Sequence, residues 1–579
     1  MTWVTLKSSI GADWQNTLSR LYNYAFLASG PTNIFLTTDG NQINPISDLS
    51  ISNTQTFRWV WDNTAAFAKK FDKNDFTLLI GTTAEQYYTQ TFTGYRNNVP
   101  PDPSLWYLNN GNANSSQNTG SGDEWTRNSY LSRLNYGYDG KYLLTATIRR
   151  DGSSRLPVAT RWQNYPSFGL AWVATNETFL QSQHVFDFLK LRASYGRVGN
   201  DQIPTNSYTP TVAQNQAYPF TGYLNPATPG DQILVIIDPH ITWEVTTEYD
   251  VALEFALLQS KLSGEVNYYN KQLNNGIDQV PISGTVGANP ATIISNVMGI
   301  QNKGLEIVLN WKDRIGDNFS YTVSGNVTFN KNQVTALNGG QNIYDAMVGS
   351  QGYITNTDIG HPVGSFYVLQ TTGVFNSAAD VAATNVTYGA YPKTPGSFKY
   401  LDKNGDGTID LNDRVWAGSY QPVAYYGINL GAKYKSWDFS MSIYGNAGNK
   451  VYNGKRAERV SGTDNIEKSI VYSRWTPENL TQTQPAANTG NLPASTYFVE
   501  SGSFVRINNL TIGYTFSPEV LQRIKVSNLR LFAMSQNLFT LKKYSGFTSE
   551  LPGTPTASGI ETSTYPTTKT FSLGVNVGF

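Results

Sequence analysis

The feature that most constrains this chain is strict two-residue alternation of apolar and polar side chains over long stretches. In "NFSYTVSGNVTFN" (318–330), Phe319, Tyr321, Val323, Val327 and Phe329 share one parity. Asn318, Ser320, Thr322, Ser324, Asn326 and Thr328 share the other. In "WDFSMSIYG" (437–445), Trp437, Phe439, Met441 and Ile443 alternate with Asp438, Ser440 and Ser442. In "KLSGEVNYY" (261–269), Leu262, Val266 and Tyr268 alternate with Ser263, Glu265 and Asn267. A strand turns successive side chains to opposite faces, so each stretch is a strand with one apolar and one polar face.

The same pattern predicts strands near 55–69, 75–93, 126–138, 141–152, 164–176, 186–199, 241–257, 294–312, 420–436, 502–516, 527–542 and 568–579. The count is about fifteen to seventeen. The region before residue 55 is less regular, with room for two more strands. Many runs reach the ~9–11 residues of a tilted membrane strand and exceed the ~5–6 typical of globular sheets.

Connections alternate in length. "DKND" (72–75), "YDGK" (138–141), "LQSK" (258–261), "DRIGDN" (313–318) and "KYKS" (433–436) are short turns. Segments 94–125, 200–240, 335–419, 450–501 and 543–567 are long and rich in Gly, Asn, Thr and Pro. Short turns on one side and long loops on the other are the pattern of an outer-membrane barrel. A soluble β-sandwich array is the alternative, but it uses shorter strands and no long/short rule. Phe319, Tyr321, Val323, Phe329, Trp437 and Phe439 are therefore expected to face lipid. The final "TFSLGVNVGF" puts Phe571, Leu573, Val575, Val577 and Phe579 on one face. If that strand ends on the inner side of the membrane, parity places the long loops outside the cell.

Composition narrows the alternatives. The 579 residues include 42 basic and 42 acidic side chains, so net charge gives no reason to expect a nucleic-acid partner. With no cysteine, disulfide frameworks and thiolate metal sites are excluded. Mean hydropathy is −0.36, too polar for a helical membrane protein, and no apolar run approaches the ~18 residues of a spanning helix. The start, "MTWVTLKSSIGADWQ", lacks the basic and apolar regions of a signal peptide.

One loop reads as an ion site. In "DKNGDGTIDLND" (402–413), Asp402, Asn404 and Asp406 occupy positions 1, 3 and 5 of a calcium loop. Gly407 occupies the sharp turn at 6, Thr408 offers its carbonyl at 7, Asp410 sits at 9 and Asp413 at 12. Glu is usual at 12, and the shorter Asp413 makes a bidentate contact harder. Pro395 and Gly396 before the loop and Pro422 after it argue against flanking helices. A structural Ca²⁺ that braces an external loop is one reading; an Asn/Asp/Gly turn that binds nothing is the other.

Other chemistry-bearing residues point to no catalytic constellation. His184, His240 and His361 lie far apart. Arg149 and Arg150 are expected to straddle the wall near its rim, with Asp151-Gly152 as a turn. Glu244, Glu248, Glu254, Glu265 and Glu306 lie within strands. Paired carboxylates can hydrolyse glycosides, but their alternation with apolar residues assigns them to a solvated lumen. Trp106, Tyr107, Tyr218, Phe220, Tyr223, Tyr353 and Tyr420 fall in loops, where they could stack on sugars, pack the loops or meet a partner. No substrate-binding residue is singled out.

Seven blocks then carry a resemblance. "YLSRLNYGYDGKYLLTATIRRDGSSRL" (130–156), "WQNYPSFGLAWVATNETFL" (162–180), "LKLRASYGRVGN" (189–200), "WEVTTEYDVALEF" (243–255), "NKGLEIVLNW" (302–311), "GSFYVLQTTGVF" (364–375) and "FVRINNLTIGYTF" (504–516) resemble, in order, the SusC/RagA family of TonB-dependent outer-membrane transporters. The resemblance implies an antiparallel transmembrane barrel of about 22 strands around a plug. It implies a SusD-like surface lipoprotein as lid, two transporter–lid pairs per assembly, a glycan or peptide ligand, and energy from a TonB complex. It places the chain in the outer membrane of a Gram-negative bacterium.

Family members also begin with a signal peptide, a small carboxypeptidase-D-like domain, a TonB box and a plug. None is legible here. The expectation is therefore the C-terminal part of a transporter barrel over 55–579, preceded by early strands and a loop over 1–54, with TonB coupling through a part not present in this sequence. An outer-membrane hydrolase and a soluble calcium-binding, lectin-like protein are the alternative function classes.

Overall fold

The structure is a computed structural model and describes residues 3–579 except 27–43, 219–227, 284, 286–290, 339–340, 461–464 and 488–491. Sixteen strands form one antiparallel sheet in chain order. They are β1 (Val4–Asn23), β2 (Asp48–Phe71), β3 (Asn74–Asn97), β4 (Gln117–Tyr138), β5 (Tyr142–Ser153), β6 (Trp162–Val173), β7 (Phe186–Asn200) and β8 (Glu244–Leu257). There follow β9 (Leu262–Pro281), β10 (Thr292–Ile315), β11 (Phe319–Leu337), β12 (Ala424–Tyr434), β13 (Trp437–Ala447), β14 (Phe504–Thr515), β15 (Asn528–Lys542) and β16 (Thr570–Gly578). Each inner strand has two hydrogen-bonded neighbours; β1 and β16 are the edges.

Register carries the apolar parity from strand to strand, because residues directly opposite in an antiparallel pair point to the same face. Leu573 pairs with Ala533, Ala533 with Ile512, and Ile512 with Phe439. Phe439 pairs with Ala432, and Ala432 with Tyr321. Val323 pairs with Trp311, Trp311 with Leu262, and Leu262 with Leu257. At the other edge, Leu6 and Ile10 oppose Ala65 and Trp61. The result is one apolar face running the width of the wall.

That face is banded as a bilayer requires. Next to the short turns lies an aromatic row: Trp437 stands 4.9 Å from Tyr514, Phe71 5.5 Å from Phe76, and Phe76 4.5 Å from Tyr136. Nearer the long loops lie Tyr268, Phe329 and the stacked pair Tyr130–Trp162. From Phe319 to Phe329, at ~3.3 Å per residue and ~40° of tilt, the wall rises ~25 Å, the height of an outer-membrane apolar band. Val323 lies near the middle of that rise. The sequence expectation for the outward set Phe319, Tyr321, Val323, Phe329, Trp437 and Phe439 agrees with this register.

Connections alternate without exception. Segments 72–73, 139–141, 174–185, 258–261, 316–318, 435–436 and 516–527 turn on one side. Segments 24–47, 98–116, 154–161, 201–243, 282–291, 338–423, 448–503 and 543–569 cross on the other. The front of the chain holds an early wall strand, as expected: β1 is a full 20-residue strand. One local reading is corrected. Asp151-Gly152 is no turn, because β5 continues through Ser153 with Asp151 paired to Ser129 and Gly152 to Asn128. The turn begins only past Ser153, where the chain leaves the ladder.

A wall with lipid on one side and a solvated lumen on the other cannot hold a conventional core. The largest core sits instead at the long-loop end. Phe366, Val368, Leu369, Phe375, Phe398, Ile409, Tyr452 and Phe498 pack together there, drawn from segments 338–423 and 448–503. A four-stranded sheet of Ile343–Met347, Tyr353–Thr357, Ser365–Leu369 and Arg414–Trp416 frames this cap.

Substituting Val323→Arg should cost ~2–4 kcal/mol, the penalty for a midplane cation on the lipid face. The adjacent Thr322→Arg, whose side chain faces the lumen, should cost far less. Urea titration of the bilayer-inserted protein distinguishes them. Equal losses would show that Val323 does not face lipid.

Candidate functional site

The inner face of the wall is polar by the same alternation, and many of its charges are paired. Arg192 on β7 reaches Asp250 at 2.7 Å, Glu254 at 3.2 Å and also Glu265, while Lys190 meets Glu254 at 3.1 Å. Lys271 pairs with Glu248 at 3.1 Å. Arg58 and Arg127 both pair with Glu85, and Arg127 also bonds Asp201, at the start of the long loop after β7, at 2.5 Å. Arg530 grips Asp438 with two hydrogen bonds of 2.9 and 2.6 Å. Arg506 holds Glu550 of segment 543–569 at 2.5 Å, tying that loop to the wall. Such pairs in a water-filled passage contribute little stability individually. Their effect is to hold long side chains against the wall and to anchor two loops.

Of the five strand glutamates singled out by sequence, Glu248, Glu254 and Glu265 therefore belong to ion pairs. Glu306 accepts from Asn267, and Glu244 accepts from the backbone N–H of Ile277. Arg149 turns inward to Asp151 and Ser129, and Arg150 turns outward over the Trp162 ring at 5.4 Å, so the pair straddles the wall. His361 stacks on Trp416 at 3.8 Å, His240 is exposed beside Asp238, and His184 is exposed. Trp106 stacks on Tyr22 at 4.8 Å, and Tyr107 carries Arg20 at 5.3 Å. Tyr420 packs against the cap core. Phe220 and Tyr223 lie outside the described residues, as does the Tyr218 side chain.

The loop 402–413 lies in the cap. The strand Phe398–Tyr400 precedes it, a 3-10 turn Leu411–Asp413 closes it and Arg414–Trp416 follows, so no helix flanks it. Its carboxylates organise its own backbone. Asp402 accepts from the N–H groups of Gly405 at 2.8 Å and Gly407 at 2.9 Å. Asn404 accepts from the N–H of Asp406, and Asp406 from that of Thr408. Asp410 accepts from the N–H of Asn412 and caps the 3-10 turn. Asp413, fully buried, accepts from the N–H groups of Lys403 at 2.8 Å and Asp410 at 2.9 Å, so it clips the two ends of the loop together. Gly405 and Gly407 take φ of +74° and +81°, which side-chain-bearing residues rarely adopt. Segment 387–409 adds a short bridge, the N–H of Ile409 donating to Thr387 at 2.8 Å.

The oxygens of Asp402, Asn404, Asp406, Asp410, Asp413 and the Thr408 carbonyl suit a hard cation in kind. In this conformation the side-chain oxygens serve amides, and among the described residues no three acidic or histidine side chains converge as a metal site.

Comparison with known proteins agrees with this geometry. Residues 2–538 match the family described as TonB dependent receptor-like, beta-barrel. TonB-dependent receptor P26 of Formosa agariphila is 30% identical over 599 residues, covering 100% of this chain and 58% of that protein. TonB-dependent receptor SusC of Bacteroides thetaiotaomicron is 28% identical, covering 93% of this chain and 53% of that protein. The chain thus spans a little over half the length of these relatives. Among solved structures, the RagAB peptide transporter superposes with a TM-score of 0.82 at 22% identity, over 100% of this chain and 60% of that one.

Replacing Asp413 by Ala should leave the amides of Lys403 and Asp410 without their acceptor in a partly buried setting, at up to ~1 kcal/mol each. Hydrogen exchange at those two amides should accelerate, while Asp413→Asn, which keeps one acceptor oxygen, should fall between. Unchanged exchange in the alanine variant would show that Asp413 does not hold the loop.

Proposed function

Since this chain belongs to the TonB-dependent receptor-like β-barrel family, we propose that it forms the larger part of an outer-membrane importer of oligosaccharides or oligopeptides. The observation that carries the reading is the two-faced wall: a continuous apolar band outside, charged and polar groups inside, and the longest connections all on one side. Binding and gated passage are the mechanism, with no bond chemistry. The relatives are receptors rather than enzymes, and nothing in them favours a hydrolase or a soluble lectin.

On this reading the polar lumen passes the ligand, and the cap built from segments 338–423 and 448–503 faces the exterior. The edges β1 and β16 each leave one row of backbone N–H and C=O groups without a partner strand, which hydrocarbon does not tolerate. Further strands of the whole protein close the wall toward about 22. A SusD-like lipoprotein sits on the long loops as a lid, two such pairs associate, and TonB drives transport through a part outside this sequence.

Ca²⁺ at 402–413 is a second element of the proposal. Asp402, Asn404, Asp406, Asp410, Asp413 and the Thr408 carbonyl would supply its oxygens, and the ion would hold the loop against a backbone entropy of roughly 1–2 kcal/mol per residue. What supports it is the ligand spacing and the two glycine turns.

Two measurements check these statements. Affinity purification from native membranes in mild detergent should recover a surface lipoprotein with the barrel; recovery of the barrel alone contradicts the lid. Adding millimolar Ca²⁺ after chelation should slow proteolysis of 395–420 in the wild type, and an Asp402→Ala/Asp406→Ala variant should lose that effect. If calcium leaves wild-type cleavage unchanged, the loop is a self-braced turn.

A further inference from the structure

The residue after the clipped loop is Arg414, and its setting is unusual. It is 7% exposed, yet no carboxylate lies within ion-pair distance among the described residues. Its Nη1 donates to the Tyr353 carbonyl at 2.8 Å, and its Nε is buried with no acceptor. The neighbouring Asp413 cannot serve, because both its oxygens are committed to backbone amides. Burial pulls the guanidinium's pKa down, opposed by nearby tyrosines rather than by any acid. A buried cation without a counter-charge is costly. Such a group persists where a ligand supplies the missing anion.

Arg414 lines a cavity of about 610 Å³ in the cap, together with Tyr344, Tyr353, Tyr367, Tyr391 and Asn412. That volume suits a small ligand or one or two sugar units. Tyr344 stands 6.4 Å from both Tyr353 and Tyr367, so three rings border one space. Tyr344 and Tyr353 are 43% and 49% exposed. The hydroxyls of the four tyrosines make no hydrogen bond within the described residues, so they are free to donate and accept. Lys403 does not line the cavity; its Nζ is bonded to the Arg414 carbonyl at 2.9 Å and lies over the Tyr367 ring at 5.8 Å.

We propose that this cavity is a binding site for a carboxylate-bearing sugar, with Arg414 receiving the carboxylate and the tyrosine rings receiving the sugar's C–H face. The inference rests on the importer reading and narrows its substrate class to acidic saccharides. A planar guanidinium with free donors matches a carboxylate. Aromatic faces beside unengaged hydroxyls match a ring that is apolar on its face and polar at its edge. A peptide segment is the weaker fit, since recognition of an extended peptide rests on main-chain pairing along a strand edge, and what this cavity offers is phenol and guanidinium groups. The loop 402–413 then has a positioning role: the Asp413 clip fixes where Arg414 enters its strand.

The experiment is calorimetric titration of the purified full chain in detergent with three probes: an oligoglucuronate, a neutral glucose oligomer of equal length, and a peptide with a free C-terminal carboxylate. The wild type should bind the oligoglucuronate at least tenfold more tightly than either of the others. Arg414→Gln should erase the preference over the neutral oligomer, Arg414→Lys should keep part of it, and Tyr353→Ala should weaken both sugars together. If Arg414→Gln does not fold, the lysine and Tyr353 variants still decide the matter. Equal binding of the two sugars by the wild type, or an undiminished preference in Arg414→Lys and Tyr353→Ala, overturns the assignment. Tighter binding of the peptide overturns the saccharide class. Lipoprotein capture from native membranes, measured alongside, separates the two readings: capture with no acid preference removes this cavity alone, and loss of capture removes the lid.

Discussion

Everything in this molecule depends on where its backbone hydrogen bonds are made. A strand that crosses hydrocarbon has no water to bond, so each N–H and C=O must find the next strand. The antiparallel ladder meets that demand for fourteen of the sixteen strands on both sides. Once the ladder fixes register, side-chain parity is no longer free. A one-residue slip in any strand would carry its apolar set into the lumen and its charges into lipid. The apolar face from Leu573 to Leu6 is the consequence of register being held along most of each ladder, with local shifts at a few pairs such as Ser442/Ile443 and Ile507/Asn509.

The two faces then divide the work. The outer face holds position in the bilayer, with aromatic rows at its borders. The inner face carries charge at modest cost, because water and opposite charges accompany it. Arg192, shared among Asp250, Glu254 and Glu265, shows how one cation serves three strands. The loops are free of the ladder's demands, and there the chain builds its one large core. That core makes possible what the wall cannot: a setting in which Asp413 is fully buried and Arg414 nearly so, side by side, one satisfied by amides and the other without a carboxylate partner among the described residues.

Much of the wall was legible in the sequence because period two is a local signal. Residues 318–330 and 437–445 announce their outward faces without any knowledge of neighbours. The alternation of β1 was less regular because its large outward residues, Leu6, Ile10, Trp14 and Leu18, are spaced by four and separated on the same face by Ser8, Ala12 and Asn16. That spacing imitates a helix and dilutes the alternation. Asp151-Gly152 has turn composition, yet pairing to Asn128 and Ser129 carries the strand through it. The packing of the cap could not be read: Tyr344, Tyr391 and Arg414 line one cavity only because distant segments come together. Tyr353 stood out as a loop aromatic, but nothing in its surroundings in sequence marks Arg414 as its neighbour. The calcium-like spacing at 402–413 was visible; that its carboxylates clip the backbone was not.

The central claim is that side-chain parity along the wall separates lipid from lumen. The chain has no cysteine, so single cysteines report cleanly on their surroundings. Cysteines placed one at a time from Tyr321 to Thr328, in protein inserted in lipid bilayers, can be probed with a water-soluble maleimide. The account predicts that substitutions at 322, 324, 326 and 328 react, while those at 321, 323, 325 and 327 are shielded. Reactivity that is uniform along the strand, or that alternates with the opposite parity, would contradict it.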